Sequence, residues 1–301
     1  MKILVLLATY NGESFVEEQL NSIINQSSVN VSVLIRDDGG NDGTVDFCKD
    51  FAKRHQNVDI LDNPDKRLGS ANNYFTLLKN VTDDFDFVAL ADQDDIWNED
   101  KLIRAVEKLQ NQEADCYSSD VIAFFPNGKK QYIKKSYPQK KYDYLFESPG
   151  PGSTFVMRVD FVKRLSDFLS EHKSDVKNLI SHHDWFIYAF ARANNCKWVI
   201  DDFPSLLYRQ HDSNERGANI GLKSSIYRMH NVLFGDGLQQ AKCTCDLLKK
   251  ISGNVLSDIK FSSFGRVKMA FNGFKFRRKT TDAIIFSLLI ILSVMTKSLK
   301  A

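Results

Sequence analysis

Three carboxylates within four positions, Asp92-Gln93-Asp94-Asp95, follow directly on an apolar run from Phe85 to Ala91. At that spacing they repel one another unless a cation or a set of hydrogen bonds compensates. A hard divalent ion is the economical answer. Carboxylate oxygens suit Mg2+ or Mn2+, and Mg2+ commonly takes one or two carboxylates together with the phosphates of its substrate. The competing account is an acidic turn that caps the helical pattern beginning at Lys101. A second acidic pair, Asp37-Asp38, cannot usefully approach phosphates but accepts hydrogen bonds from a base N–H or a ribose hydroxyl. Tyr10 offers a flat face on which a base can stack. Singly, each has an ordinary rival role, Tyr10 as packing and Asp37 as a turn former.

The chain has no G-x-G-x-x-G after its first apolar run and no G-x-x-x-x-G-K-[ST]. Neither a dinucleotide fold nor a P-loop therefore accounts for these nucleotide features, and a metal rather than a glycine nest is expected to hold a diphosphate.

These residues need a scaffold that brings them to one edge. Apolar runs of strand length recur at Ile3 to Ala8, Val31 to Ile35, Val58 to Leu61 and Phe85 to Ala91, too uniformly apolar for half-exposed strands. Helical patterns alternate with them at Phe15 to Ile24, Val45 to Arg54, Asn72 to Leu78 and Lys101 to Leu109. This alternation predicts an α/β, doubly wound sheet whose ligands bind beyond the carboxyl ends of the strands. Those ends are unusually polar: Thr9-Tyr10-Asn11-Gly12, Arg36-Asp37-Asp38-Gly39-Gly40 and the aspartate cluster. Further on, short strands are expected at Val121 to Phe125, Thr154 to Arg158 and Trp198 to Ile200, with helices at Asp160 to Ser170 and His183 to Ala193.

With 301 residues, of which 43% are hydrophobic, the chain can bury an ordinary core. A net charge of only +2 gives no general signal for nucleic acid, and no nucleic-acid partner is expected. Five scattered cysteines suit a reducing compartment, and the Cys243-Thr244-Cys245 pair has no matching second pair for structural zinc. The first apolar run is too short for a signal-peptide core, so cytoplasmic residence is expected.

After about Arg216 the character changes. The segment Ile259 to Thr281 carries Lys260, Arg266, Lys268, Lys275, Arg277, Arg278 and Lys279 without an acidic residue, and Ala283 to Met295 is almost wholly apolar. A helix over the latter reaches about 20 Å, short of a bilayer core of about 30 Å. A surface-lying or shallowly inserted element is the favoured reading; the rival is a basic helix pair packed on the domain or on another subunit. The expected organisation is a catalytic domain at 1–215, divided into a nucleotide-binding half (1–95) and an acceptor half (96–215), followed by a helical, basic and apolar extension at 216–301 that associates with a membrane or a partner.

The series Ala8-Thr9-Tyr10-Asn11-Gly12, Asp37-Asp38-Gly39 through Asp42-Gly43-Thr44, Gly69 with Asn72-Asn73, and Asp92-Gln93-Asp94-Asp95-Ile96-Trp97 resembles the motifs of family 2 inverting glycosyltransferases with the GT-A fold. The resemblance spans about residues 1 to 212. Its later part, His183-Asp184-Trp185 and Tyr208-Arg209-Gln210-His211, is similar to a bacterial rhamnosyltransferase-like subgroup of surface polysaccharide synthesis. It implies that Tyr10 and Asp38 hold the base, with Asn11, Gly69, Asn73, Gln93 and Arg209 also on the donor. It further implies that Asp92 and Asp94 form the D-x-D motif with Asp94 as direct metal ligand, that His211 is a further metal or diphosphate contact, and that Asp184 is the catalytic base.

The partners so implied are a nucleoside-diphosphate sugar and an oligosaccharide or lipid-linked glycan acceptor; the C-terminal segment adds the inner face of the cell membrane as an expected partner. The chemistry agrees: a Lewis acid neutralises the departing diphosphate, and a carboxylate takes the acceptor hydroxyl proton. Inversion follows from a single displacement. Asp184 as a plain helix cap and His211 as a plain loop histidine are the rival readings. The chain lacks Q-x-x-R-W, associated with processive polymerases, and has Gly40 where Ser is common and Ala8 where some relatives carry Thr. A metal-dependent nucleotidyltransferase and an inactive GT-A-like binding subunit of an assembly complex are the alternative functions.

Overall fold

A computed structural model describes residues 1–62, 67–211, 230, 234, 236–251 and 255–298. Two compact units divide the chain, one formed by residues 1–136, 149–184 and 196–216, the other by 137–148, 185–195 and 217–301.

In the first unit the expected alternation is present as β1 (Lys2–Thr9), α1 (Val16–Ile24), β2 (Asn30–Asp37), α2 (Thr44–Arg54), β3 (Val58–Ile60), α3 (Ser70–Leu78) and β4 (Phe87–Asp92). There follow β5 (Ile96–Trp97), α4 (Lys101–Asn111), β6 (Cys116–Ser119), β7 (Val121–Phe124), β8 (Lys130–Ile133), β9 (Val156–Arg158), α5 (Val159–Glu171), α6 (Lys173–Leu179), α7 (His183–Ala193), β10 (Trp198–Asp201) and β11 (Leu206–Arg209). Helix α7 begins in this unit and runs on into the other.

Among the described residues the main sheet has the order β10-β6-β9-β4-β1-β2-β3. Strands β4, β1, β2 and β3 pair in parallel, and the sheet is mixed because β9 runs antiparallel between β4 and β6. The apolar side chains on both faces of β1 and β4 are buried, as a strand covered on both sides requires. The register sets Thr9 beside Asp37 and Ala8 beside Asp92. Chain reversal at one edge therefore delivers the Tyr10, Asp38 and Asp92 loops side by side.

A second, smaller sheet, β5-β11-β7-β8, was only partly legible: β5 and β11 span 2 and 4 residues, too short for periodicity to register. It matters to the site because β11 ends at Arg209 and pairs with β5 directly after the aspartate cluster. Thr154, expected in a strand, instead closes a 3-10 turn at Gly152–Thr154.

Asp201 at the end of β10 ties α4 to the sheet. Its buried carboxylate accepts from Arg104 Nε at 2.7 Å, Lys108 Nζ at 3.1 Å and Tyr117 Oη at 3.1 Å. Burial alone would raise this carboxyl, but hydrogen bonds from Arg104 and Lys108 outweigh it and hold Asp201 below the usual carboxylate value. Its stabilising contribution is complete above the unfolded-state pKa and is lost as pH falls through the lower folded-state value. Because the two cationic partners are partly exposed, Asp201→Ala is expected to cost about 2 kcal/mol at neutral pH. Urea melts of both proteins should show the gap at pH 7 and its narrowing near pH 3; an equal gap at both would refute the ion-pair account.

The second unit holds α8 (Asp236–Lys249), α9 (Ser263–Phe271) and α10 (Thr280–Ser298). It corrects one expectation: Arg266, Arg277 and Arg278, read as part of a basic surface stretch, are buried. Arg278 pairs with Asp143 and Glu147, Arg277 with Glu147 and Asp282, and Arg192 donates to Asp143 at 3.0 Å. Arg266 donates to Ser293 Oγ at 3.1 Å. Three of the seven cations thus serve the interior, where each has found an acceptor distant in sequence. No helix among the described residues is long and apolar enough to cross a membrane.

Candidate active site

The aspartate cluster is separated from α4 by β5, and the residue preceding that helix is Asp100, so the cluster is not the cap of the helix. Its three carboxylates have different environments. Asp95 is wholly buried, and burial, reinforced by repulsion from Asp94 and Asp92, pushes its carboxyl well above the ordinary range. Lys101, equally buried, lies 3.5 Å from the centre of the Trp97 ring; burial pulls its ammonium down to about 7 against the opposing pull of Asp95. Asp95 and Lys101 belong to the core beneath the site.

Asp94 instead faces His211, whose Nε2 lies 2.8 Å from Asp94 Oδ2. The imidazole is stacked on Phe15 with ring centroids 4.5 Å apart, which fixes its plane. Arg209 donates from Nε to the Asp94 carbonyl at 2.8 Å, pairs with Glu18, and lies over the Phe124 ring at 4.6 Å. A cation is thus held beside the aspartates by contacts that a diphosphate would have to exchange. Asp92 Oδ1 lies 2.7 Å from the Tyr74 hydroxyl, which also lies 2.6 Å from the Ala91 carbonyl. Burial and the Asp92 charge keep that phenol well above its ordinary pKa, so it remains a donor.

Asp184 reaches the same region from α7. It lies in the first turn of the helix, at its second residue. The His183 ring lies tilted against that of Tyr74, with centroids 4.0 Å apart, and a Cβ added to Gly152 would meet His183 Nε2 at 2.5 Å and Asp184 Cβ at 3.5 Å. The bare glycine turn is what lets α7 start there. Burial lowers His183 to about 4, against the Asp184 charge, so this imidazole is neutral at physiological pH. The half-buried Tyr208 has its phenol raised by desolvation and by the charges of Asp92, Asp95, Asp94 and Asp184. Asp184 therefore shares one electrostatic neighbourhood with the cluster.

Several residues expected on the donor have structural commitments. Gln93 accepts from Tyr10 N at 2.8 Å and donates to Tyr10 O at 3.0 Å, a two-point clamp on the first loop. Asn73 exchanges bonds with Arg36, accepting from Nη1 at 2.6 Å and donating to the carbonyl at 3.0 Å. Asp38 accepts from Leu68 N and Gly69 N at 2.9 and 2.8 Å, and Gly69 has φ +82°, a conformation that favours glycine. Asn11, at φ +49°, accepts from Asn41 N at 2.8 Å. These side chains fix the loops around Tyr10, whose ring carries the Arg67 guanidinium at 4.0 Å. Tyr74, Glu18 and Arg67 were not singled out in the sequence, although Tyr74 directly follows Asn72-Asn73; Tyr208 stood in the Tyr208-Arg209-Gln210-His211 motif without a role of its own.

No three His, Cys, Asp or Glu side chains among the described residues form a ready-made metal cage. Asp94 with His211, and Asp92 close by, make an open donor set. That fits an ion whose remaining ligands come from substrate phosphates.

Residues 4–167 match Glycosyl transferase family 2. The dTDP-rhamnosyl transferase RfbG of Shigella flexneri is 38% identical over 297 residues, covering 96% of this chain and all of that protein. Among solved structures, S. aureus TarS 1-349 in complex with UDP-GlcNAc superposes with TM-score 0.56 at 16% identity, over 99% of this chain and 88% of the other. The mannosyltransferase PcManGT from Pyrobaculum calidifontis, in complex with GDP-Man and Mn2+, gives 0.51 at 15% identity, over 99% and 86%. At such identities the structural likenesses speak to the fold, which is GT-A.

Proposed function

This chain belongs to glycosyl transferase family 2, and from that premise we propose that it moves one rhamnosyl residue from a dTDP donor to a lipid-linked or surface-polysaccharide acceptor, with inversion. That the enzyme transfers a sugar from a nucleotide donor follows from its family and its near full-length relative. The observation that supports the mechanism is the facing pair Asp94 and His211, 2.8 Å apart, in the same acidic neighbourhood as Asp184.

In this reading Asp94 and His211, with Asp92, hold a Mg2+ or Mn2+ ion. When bound, such an ion supplies Lewis-acid neutralisation of the departing diphosphate. Arg209 adds a second positive charge near the phosphates once Glu18 yields it. Tyr10 stacks the base, whose approach requires the Arg67 guanidinium to move off the ring or to cover the base from its other side. Asp38, Gly69, Asn73, Gln93 and Asn11 set the shape of the donor pocket through the loops they fix. Asp184 accepts the proton of the attacking acceptor hydroxyl, and that oxygen displaces the nucleoside diphosphate from the anomeric carbon. We assign residues 1–215 to catalysis and 216–301 to association with the inner face of the cell membrane, on the cytoplasmic side.

Calorimetric titration with dTDP and UDP, each with and without Mn2+, tests the donor. Tighter, metal-dependent binding of dTDP is expected. Preference for UDP would remove the rhamnose reading, and metal-independent binding would remove the role given to Asp94.

A further inference from the structure

Helices α9 and α10 pack against each other with their polar contacts on the inside. Ser287 Oγ donates to the Ala270 carbonyl at 2.6 Å, Arg266 reaches Ser293, and a Cβ on Gly273 would meet Ser287 Oγ at 2.2 Å. The outward side is apolar, the inverse of a helix pair built for water. On α9 and the turn after it, Phe264, Phe271 and Phe274 are 82, 81 and 56% exposed. Lys268 and Lys275, also exposed, alternate with them at helical spacing. On α10 the exposed positions Ile284, Leu288, Ile291 and Met295 recur every three to four residues, one continuous apolar stripe. Exposed aromatic rings on this scale are costly in water and mark an interaction surface.

We propose that this face lies in an anionic lipid bilayer, the three phenylalanines seated at the acyl boundary and Lys268 and Lys275, with Lys260 and Lys279, on lipid phosphates. Charge decides the occupant. No acidic residue occurs between 259 and 281, and the arginines of this stretch are turned inward, so the exposed charge there is lysine alone. Two copies meeting through this face would oppose lysine to lysine, a repulsion that disfavours self-association. An anionic surface accepts every one of these charges and the apolar side chains as well. Helix α10, with 19 residues, is about 28 Å long and lies along the surface in this arrangement. The proposal rests on the reading that the acceptor is presented at a membrane, and it specifies how the enzyme reaches it.

The test is flotation of the full chain with phosphatidylcholine vesicles, with or without phosphatidylglycerol. Wild-type protein should float with the anionic vesicles only, and less at high salt. Phe264→Ser/Phe271→Ser/Phe274→Ser should weaken partitioning by more than about tenfold. Lys268→Gln and Lys275→Gln should each weaken it by about fivefold. All these sites are exposed, so the variants should keep wild-type dTDP binding. Failure of wild type to float, or variants that float like wild type, would overturn the proposal. So would a dimer that the triple variant abolishes. Donor binding without flotation sinks the membrane face alone, whereas loss of dTDP binding by the wild type sinks the functional reading beneath it.

Discussion

Asp94→Ala is expected to lower kcat/KM by at least about a thousandfold, because the transition state loses the charge neutralisation of several kcal/mol that a metal supplies to the leaving diphosphate. Asp94 is the member of the cluster whose side chain meets His211, whereas Asp95 is wholly buried. Removing a partly exposed carboxylate from a crowded acidic cluster relieves repulsion, so the melting temperature should stay level or rise slightly. The double variant Asp94→Ala/His211→Ala should be scarcely worse than Asp94→Ala, since both side chains serve one ion. Initial rates with a series of Mn2+ concentrations, together with a thermal melt, check this. Wild-type rates in folded Asp94→Ala would remove the metal assignment, and fully additive losses would separate His211 from it.

Asp184→Asn should leave donor binding within about twofold while transfer falls by about a hundredfold to ten-thousandfold, the range typical of a general base. The substitution keeps shape and volume, and Asn serves at the start of a helix about as well as Asp, so the fold should lose little. The two variants are distinguishable: Asp94→Ala loses metal-dependent dTDP binding along with turnover, and Asp184→Asn loses turnover alone. Normal transfer by Asp184→Asn would return this carboxylate to the modest role of complementing a helix dipole.

The mixed behaviour of the expected donor residues has a common cause. Gln93 and Asp38 directly follow β4 and β2, Asn73 lies in α3, and their types suit ligand contact equally well. In the folded chain their polar atoms meet backbone groups of neighbouring loops: Gln93 meets Tyr10, 83 residues away, and Asp38 meets Gly69, 31 residues away. A buried polar atom takes the nearest good partner, and only the packed loops supply those partners. The same holds for Arg277 and Arg278, which look like surface charges in sequence and find the far earlier Glu147 inside the second unit.

The linear sequence determined the order and type of the first seven elements, because strand and helix periodicity is local and the apolar runs of β1 to β4 carry it without ambiguity. It also placed the acidic, aromatic and histidine residues at the ends of those elements, where an α/β sheet gathers ligands. Tertiary structure alone decided which carboxylate meets His211, 117 residues away, and which is wholly buried within reach of the Lys101 charge. It alone separated the arginines that hold the second unit together from the lysines that face outward. Burial and long-range hydrogen bonding, which set the charge and the partner of each polar group, come into being only when distant segments pack.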